Sequence, residues 1–279
     1  MNGGRQVLYL YGVVPGNQSL PAGEGTGLEA VAYGRLAAVV EPVSAAEFSP
    51  ELLEQKLQCV DWITPLAQRH SFVLEQVLRH GPVVPARLCT LFSSADALTE
   101  LLAQHAQRFE ERLDWLQCRQ EWGLKIFCDE GKLRSIIGAS DPGVQALESA
   151  AVAGSPGQAY VLRKKRDSCV AELVSTWIEE VADEVLDTLA AMAVETRLRS
   201  LLSGAATGRH EAMVVNVALL VDTAGCPALH TAVSELDEHL RTEGFALELT
   251  GPWPAYSFCD EDRGPRELGD DAAASEEAR

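Results

Sequence analysis

The chain has 279 residues, a length that suits one large domain or, more readily, two domains of ordinary size. Hydrophobic residues make up 47% and charged residues 23%, values typical of soluble globular proteins, which disfavours disordered, collagen-like and membrane classes. The 23 basic and 41 acidic residues give a net charge of −18, which repels phosphate backbones and anionic lipid headgroups. The charge therefore argues against a nucleic-acid-binding protein.

The first strands are indicated by apolar runs separated by turn residues. The β-branched and aromatic stretch Val7–Tyr11 predicts a strand. Two further runs, Leu28–Tyr33 and Leu36–Val40, flank Gly34 and Arg35, which is the spacing of a two-residue hairpin with glycine in the turn.

Helix starts follow the hairpin. Ser49–Pro50 supplies an N-cap and a proline at the first helical position, and Thr64–Pro65 repeats this pattern, which predicts two helices, the second ending at Gly81–Pro82. Residues 83–92 are predicted to be extended, and a helix capped by a serine at 93 or 94 follows.

The second half begins with a strand over Glu121–Cys128, where apolar residues alternate with others. A stretch without glycine or proline from Tyr160 to Leu202 predicts a long helix, and the apolar run Met213–Val221 predicts a central strand. A helix starting at Pro227 and a last strand at Phe245–Thr250 complete this half.

A short strand near Ala205–His210 would make the order of the second half β-α-β-β-α-β, the ferredoxin-like arrangement. The last segment, 260–279, has eight acids against three arginines, a net charge of −5, and is predicted to be a disordered acidic tail. We therefore predict an α+β protein with domains at 1–118 and 119–259, followed by the tail.

Searches for catalytic and metal-binding patterns give little. The seven cysteines form no CxxC unit, which predicts reduced thiols in a cytosol, and the six histidines include no HxxxH or HxH pair. There is no P-loop and no GxSxG elbow. His70 and His105 fall on or beside apolar helix faces and are predicted to be partly buried structural histidines. We predict no catalytic residue, no cofactor and no metal site.

Charged runs on the long helix leave alternatives open. Carboxylates between Glu179 and Asp187 at i,i+4 spacing are predicted to form a solvated face, with a divalent-cation site or an acid/base pair as the alternatives. For the basic run Arg163–Arg166, either the helix starts after it, or it pairs with acids such as those of the tail; contact with a partner is a further possibility.

The closing motif Gly251–Phe258 places two prolines around a tryptophan, which fixes an extended path and presents three aromatic rings. The favoured interpretation is that these rings seal the core or the boundary between the domains. The alternative is an edge that docks a hydrophobic partner.

Five stretches in this order resemble the gas vesicle protein GvpF/GvpL family, and together they extend from about Val7 to Phe258. They are Tyr9–Pro15, Val83–Phe92, Glu121–Lys125, Ala159–Leu162 and Gly251–Phe258. The resemblance implies two α+β domains, the second a modified ferredoxin-like fold with a long helix.

The resemblance also implies a function. Members of this family are accessory or minor structural proteins of the gas vesicle, a cytoplasmic organelle. They are thought to bind the hydrophobic shell protein GvpA and other vesicle proteins during nucleation and growth, without enzyme activity or a cofactor. Candidate docking residues are Arg87, Trp253, Pro254 and Tyr256. The competing hypothesis is a ligand-binding protein or enzyme with its site between the two domains.

Overall fold

The computed structural model describes residues 5–21 and 27–259. The described chain forms two compact units, one made of residues 5–121 together with 252–259, and the other of residues 122–251. The domain boundaries predicted above stay predictions. The predicted acidic tail, 260–279, lies outside the described residues.

The sheet of the first unit has five strands, ordered β2-β3-β1-β4, with β5 also pairing with β1. The predicted hairpin is confirmed, since Tyr33 pairs with Leu36 and Gly34 between them has a φ of +56°. The strand bounds are β1 Gln6–Pro15, β2 Glu29–Tyr33, β3 Leu36–Ser44, β4 Val84–Pro85 and β5 Leu91–Phe92.

A register shift in β1 between Leu10 and Gly12 makes the strand bulge. Glycine is required there because a Cβ atom at position 12 would lie 2.7 Å from the backbone oxygen of Val84. The bulge changes which side chains face which way, so Tyr9 and Tyr11 belong to one apolar cluster of the unit, whereas Leu10 and Val13 belong to the other.

In the described residues before 117, this unit has the helices α1 Pro50–Lys56, α2 Val60–Leu78, α3 Ala95–Gln104 and α4 Ala106–Leu116. The starts at Ser49–Pro50 and at Ser94 are confirmed, and the Ser94 side chain accepts a hydrogen bond from the Ala97 N–H at 3.2 Å. The start at Thr64–Pro65 is wrong, because α2 begins at Val60 and contains Pro65 in its second turn.

The sheet of the second unit has the order β7-β8-β6-β9. Its strands are β6 Arg119–Cys128, β7 Glu195–Leu198, β8 Ala212–Asp222 and β9 Phe245–Trp253. Its helices are α5 Glu130–Ser140, α6 Pro142–Ala153, α7 Pro156–Ala190, α8 Gly204–Thr207 and α9 Cys226–Arg241. One apolar cluster contains residues of β6, β8, α7 and α9, and it includes the alternate residues Trp122, Leu124, Ile126 and Cys128.

Two predictions for the second unit are wrong. The stretch 205–210 is not a strand, since α8 covers most of its first half. The long helix ends at Ala190, because the chain beyond it gains hydrogen bonds to β8: the N–H groups of Val194 and Arg199 donate to the carbonyls of Leu220 and Asn216, at 2.7 and 2.8 Å. The edge strand is therefore β7, which pairs antiparallel with β8.

The structure also shows the surroundings of the two charged runs of α7. The helix begins at Pro156, before the basic run and not after it, and Arg166 at the end of that run pairs with Glu148 of α6 and with Asp167. The carboxylates between Glu179 and Asp187 are exposed. Within residues 5–21 and 27–259, no cluster of three or more potential metal ligands is found, and no helix has the length and apolar character needed to span a membrane.

Candidate functional site

The closing motif returns to the first unit after β9 and ends in the short helix α10, Tyr256–Cys259. Pro254, Ala255 and Phe258 are buried there, and the Phe258 ring lies 6.4 Å from the Trp115 ring. Part of the motif is thus core of the first unit.

Glu121 fixes the position of this segment. Its side chain is only 1% exposed, and its two carboxylate oxygens accept hydrogen bonds from the Ser257 N–H at 3.0 Å and the Ser257 hydroxyl at 3.1 Å. A carboxylate is costly to bury unless it is hydrogen-bonded. The two bonds therefore hold α10 in one place.

Two aromatic rings of the same segment are partly exposed. Trp253 is 37% exposed and Tyr256 is 38% exposed, and the Tyr256 ring lies 6.4 Å from the His70 ring. Burial of the hydroxyl end raises the pKa of Tyr256, so the phenol is neutral at physiological pH. The segment therefore presents aromatic surface on an anchored backbone.

A buried polar cluster lies beneath this surface. His70 Nε2 lies 3.2 Å from the Ala86 carbonyl, so it carries the ring proton, and Nδ1 accepts from the Tyr9 hydroxyl at 2.9 Å. The Tyr9 oxygen in turn accepts from the Cys89 N–H at 3.1 Å. Burial lowers the pKa of His70 and raises the pKa of Tyr9 to about 12, so both groups are neutral. The buried histidine predicted at position 70 is confirmed.

A second tyrosine extends the cluster towards solvent. The Tyr11 hydroxyl donates to Glu41 at 2.5 Å, and the Arg69 guanidinium donates to the other oxygen of the same carboxylate at 3.1 Å. Burial raises the pKa of Tyr11, and it also raises the pKa of the Cys89 thiol. Neither group is activated as a nucleophile or base, and the cluster acts as a support.

The buried polar cluster holds the backbone on both sides of Arg87. Bonds from the cluster reach Ala86 and Cys89 on either side of it, and Cys89 has a φ of +64°, which turns the chain sharply. Arg87 itself is exposed. Since α10 contacts β4, the Arg87 turn and the closing segment belong to neighbouring parts of the first unit.

The second unit also has an exposed apolar stretch that the sequence patterns do not predict. Val194, Leu198, Leu201 and Leu202, on and around β7, are 44, 52, 56 and 42% exposed. The buried side chain of Asn216 donates to the Ser200 carbonyl at 2.8 Å, which fixes the segment after the strand. The only sequence signal is the leucines themselves, which fall within the stretch predicted as the long helix.

The other histidine prediction is wrong, since His105 is exposed at the start of α4.

The described residues form a mixed α/β protein with two sheets, and partly exposed aromatic and apolar side chains lie on each unit. The chain belongs to the gas vesicle synthesis protein GvpL/GvpF family, whose model it matches over residues 7–260.

Its relatives agree with this assignment. Gas vesicle protein L of Streptomyces sp. strain CB03234 is 27% identical over 267 residues, covering 90% of this chain and 92% of the relative. Gas vesicle protein L2 of Halobacterium salinarum is 26% identical over 272 residues, covering 90% of each. The crystal structure of GvpF from Anabaena sp. PCC7120 has a TM-score of 0.63 at 17% identity, covering 91% of this chain and 96% of that one. This chain is a gas-vesicle-associated protein, from a family not known as enzymatic.

Proposed function

We propose that this protein binds the gas vesicle shell protein GvpA, and other vesicle proteins, and assists nucleation and assembly of the vesicle without catalysing a reaction. Family membership supports the association with gas vesicles. Shell subunits that assemble through strand edges and apolar faces aggregate unless those surfaces are covered. A net charge of −18 keeps a complex with such subunits in solution.

The observation that carries the proposal is the apolar edge, which we define as β7 with Val194, Leu198, Leu201 and Leu202. β7 is the last strand in the order of its sheet, so its outer backbone groups suit addition of a strand from a partner. The four apolar side chains supply the surface that such a strand would bury.

We propose a second contact at the docking residues inferred from sequence, Arg87, Trp253, Pro254 and Tyr256. The exposed rings and Arg87 provide contact area, and buried Pro254 holds the path of the segment. Tryptophan, tyrosine and arginine are the residue types most enriched in strong protein contacts.

We further propose that the second unit is a modified ferredoxin-like domain. Its strands and long helices follow the order β-α-β-β-α-β, with α5 and α6 added before α7 and the short α8 added before β8. In this arrangement β7 is the second strand and lies at the sheet margin.

Co-expression with GvpA tests the proposal. Leu198→Ser with Leu201→Ser should lower the amount of co-purified, soluble GvpA by about tenfold, since two half-exposed leucines contribute roughly 1–2 kcal/mol when buried by a partner. Trp253→Ala with Tyr256→Ala tests the second contact in the same assay.

The matched control is Val152→Ser with Val161→Ser, which removes two apolar side chains from α6 and α7 that are more exposed than Leu198 and Leu201. This variant should retain GvpA like the unmodified protein. Failure of the unmodified protein to bind GvpA or another vesicle protein, together with a normal vesicle yield in its absence, would overturn the proposed function.

A further inference from the structure

A groove of about 280 Å³ opens on the first unit between the Arg87 turn and α4. Its apolar part includes Leu10, Val13 and Val84 from the sheet and Phe109 from the helix. The groove has no local sequence pattern, because its walls come from segments far apart in the chain.

The charge of the groove is opposite to that of the protein. Arg87, His105, Arg108 and Arg112 line it, and no acidic residue does so among residues 5–21 and 27–259. His105 at the N-cap of α4 and Arg108 and Arg112 within it follow the spacing of one helix face. The acidic residues of the same helix, Glu110, Glu111 and Asp114, are not part of the lining. A basic surface on a protein of net charge −18 is suited to an acidic segment.

The end of the described chain lies at the same place. Cys259, the last described residue, lines the groove, and the next three residues are Asp260, Glu261 and Asp262. Three residues span at most about 11 Å, so the arginines around the groove are within reach of these carboxylates. The segment 260–279 carries eight acids in all.

We propose that the acidic segment 260–279 binds in this groove of its own chain, with its first carboxylates on Arg87, Arg108 and Arg112. Charge complementarity and the position of Cys259 both favour this occupant over an acidic segment of another protein. Binding covers Arg87, so a partner that uses this residue must first displace the segment. The inference does not depend on which vesicle protein the molecule binds.

Trypsin cleavage of the full-length protein between Arg263 and Gly264 tests the proposal, because a bound segment resists the protease. Arg108→Glu leaves the cleaved sequence unchanged and replaces an attraction by a repulsion, so cleavage should become about fivefold faster. Arg163→Glu, an exposed reversal on α7, is the control and should be cleaved at the original rate.

A second measurement covers the case that Arg108→Glu disturbs the fold. Asp260→Asn, Glu261→Gln and Asp262→Asn together change only the segment, and they should speed amide hydrogen exchange at 84–90 and 105–112. Equal cleavage and equal exchange in all forms would refute the proposal. The proposal would also be refuted if Arg108→Glu abolished binding of an acidic vesicle protein while the rate of trypsin cleavage stayed unchanged. The groove would then bind that protein and not the acidic segment.

Discussion

The two sheets of this protein are covered differently. In the first unit, apolar clusters lie on both faces, one with α2 and the other with α3 and α4. In the second unit, one cluster packs with α7 and α9, while Phe127 lies beneath the Arg209 guanidinium, 4.1 Å from its ring centre. Arg209 and Lys125 both pair with Glu248, at 3.3 and 3.2 Å.

The way each sheet is covered determines where a polar group without a partner destabilises the protein. The hydroxyl of Tyr9 on the first sheet and the ring of His70 on α2 are both buried, and each requires a partner inside the protein. The ion pairs of the second sheet are about a third exposed, so water substitutes for a lost partner. Polar substitutions should therefore destabilise the first unit more than the second.

The largest expected effect comes from truncating the chain, which should destabilise the first unit and leave the second unit folded. A chain ending after Gly251 lacks buried Phe258 and the Ser257 partner of Glu121, and should destabilise the first unit by at least about 4 kcal/mol. Hydrogen exchange should show fast exchange in β1 and β3 with β8 still protected.

The control is a chain ending after Cys259, which keeps Phe258 and the Ser257 bonds to Glu121 and should lose no more than about 1 kcal/mol with the acidic segment. Equal protection of β1 in the two truncated chains would contradict the role assigned to the closing segment.

Removal of one buried hydroxyl is the next largest effect. Tyr9→Phe leaves the Cys89 N–H and His70 Nδ1 without their shared partner and should lower the free energy of unfolding by about 1–3 kcal/mol. Tyr160→Phe, at an exposed position on α7, should change it by less than about 0.5 kcal/mol. Denaturant unfolding of both variants measures the contrast, and equal midpoints would contradict it.

A pH effect should also arise in the first unit. Because burial lowers the pKa of His70 in the folded protein, the unfolded state binds more protons once the pH falls below about 6.5. Stability from this group is complete above that pH and is lost towards its lower folded pKa, with a slope of at most about 1.4 kcal/mol per pH unit.

His70→Gln should flatten the dependence of unfolding free energy on pH between 5 and 7. His80→Gln, at an exposed position near the end of α2, should keep the original slope. The inference is wrong if His70→Gln also keeps it.

The smallest effect should be in the second unit. Lys125→Met removes one ion pair with Glu248 and should cost less than about 1 kcal/mol, because both side chains are partly exposed. A double-mutant cycle with Glu248→Gln at low and high salt measures the coupling, which should decrease as salt rises. A coupling as large as the Tyr9→Phe effect would remove the contrast between the units.

Local patterns predicted many of the elements. The hairpin at Gly34, the helix start at Pro50 and the alternating strand through Trp122 follow from residues close in sequence, and the structure confirms each. Proline at position 65 gave a false start, because packing of α2 tolerates one missing hydrogen bond near its beginning.

The parts that escaped prediction depend on distant partners. β7 has no strong strand pattern of its own and forms because β8 offers an edge. Tyr9 and His70 are separated by 61 positions, and the residues that line the groove come from four separate segments. The family motifs identified the class of protein, but they did not locate the apolar edge or the groove.

The return of the closing segment to the first unit bears on synthesis at the ribosome. Residues 122–251 are inserted between two pieces of that unit, so its last buried ring, Phe258, is translated after the whole inserted unit. All described residues of the inserted unit are translated before Phe258. We therefore expect the N-terminal part of this protein to reach its final packing last, contrary to the usual order in which domains fold during translation.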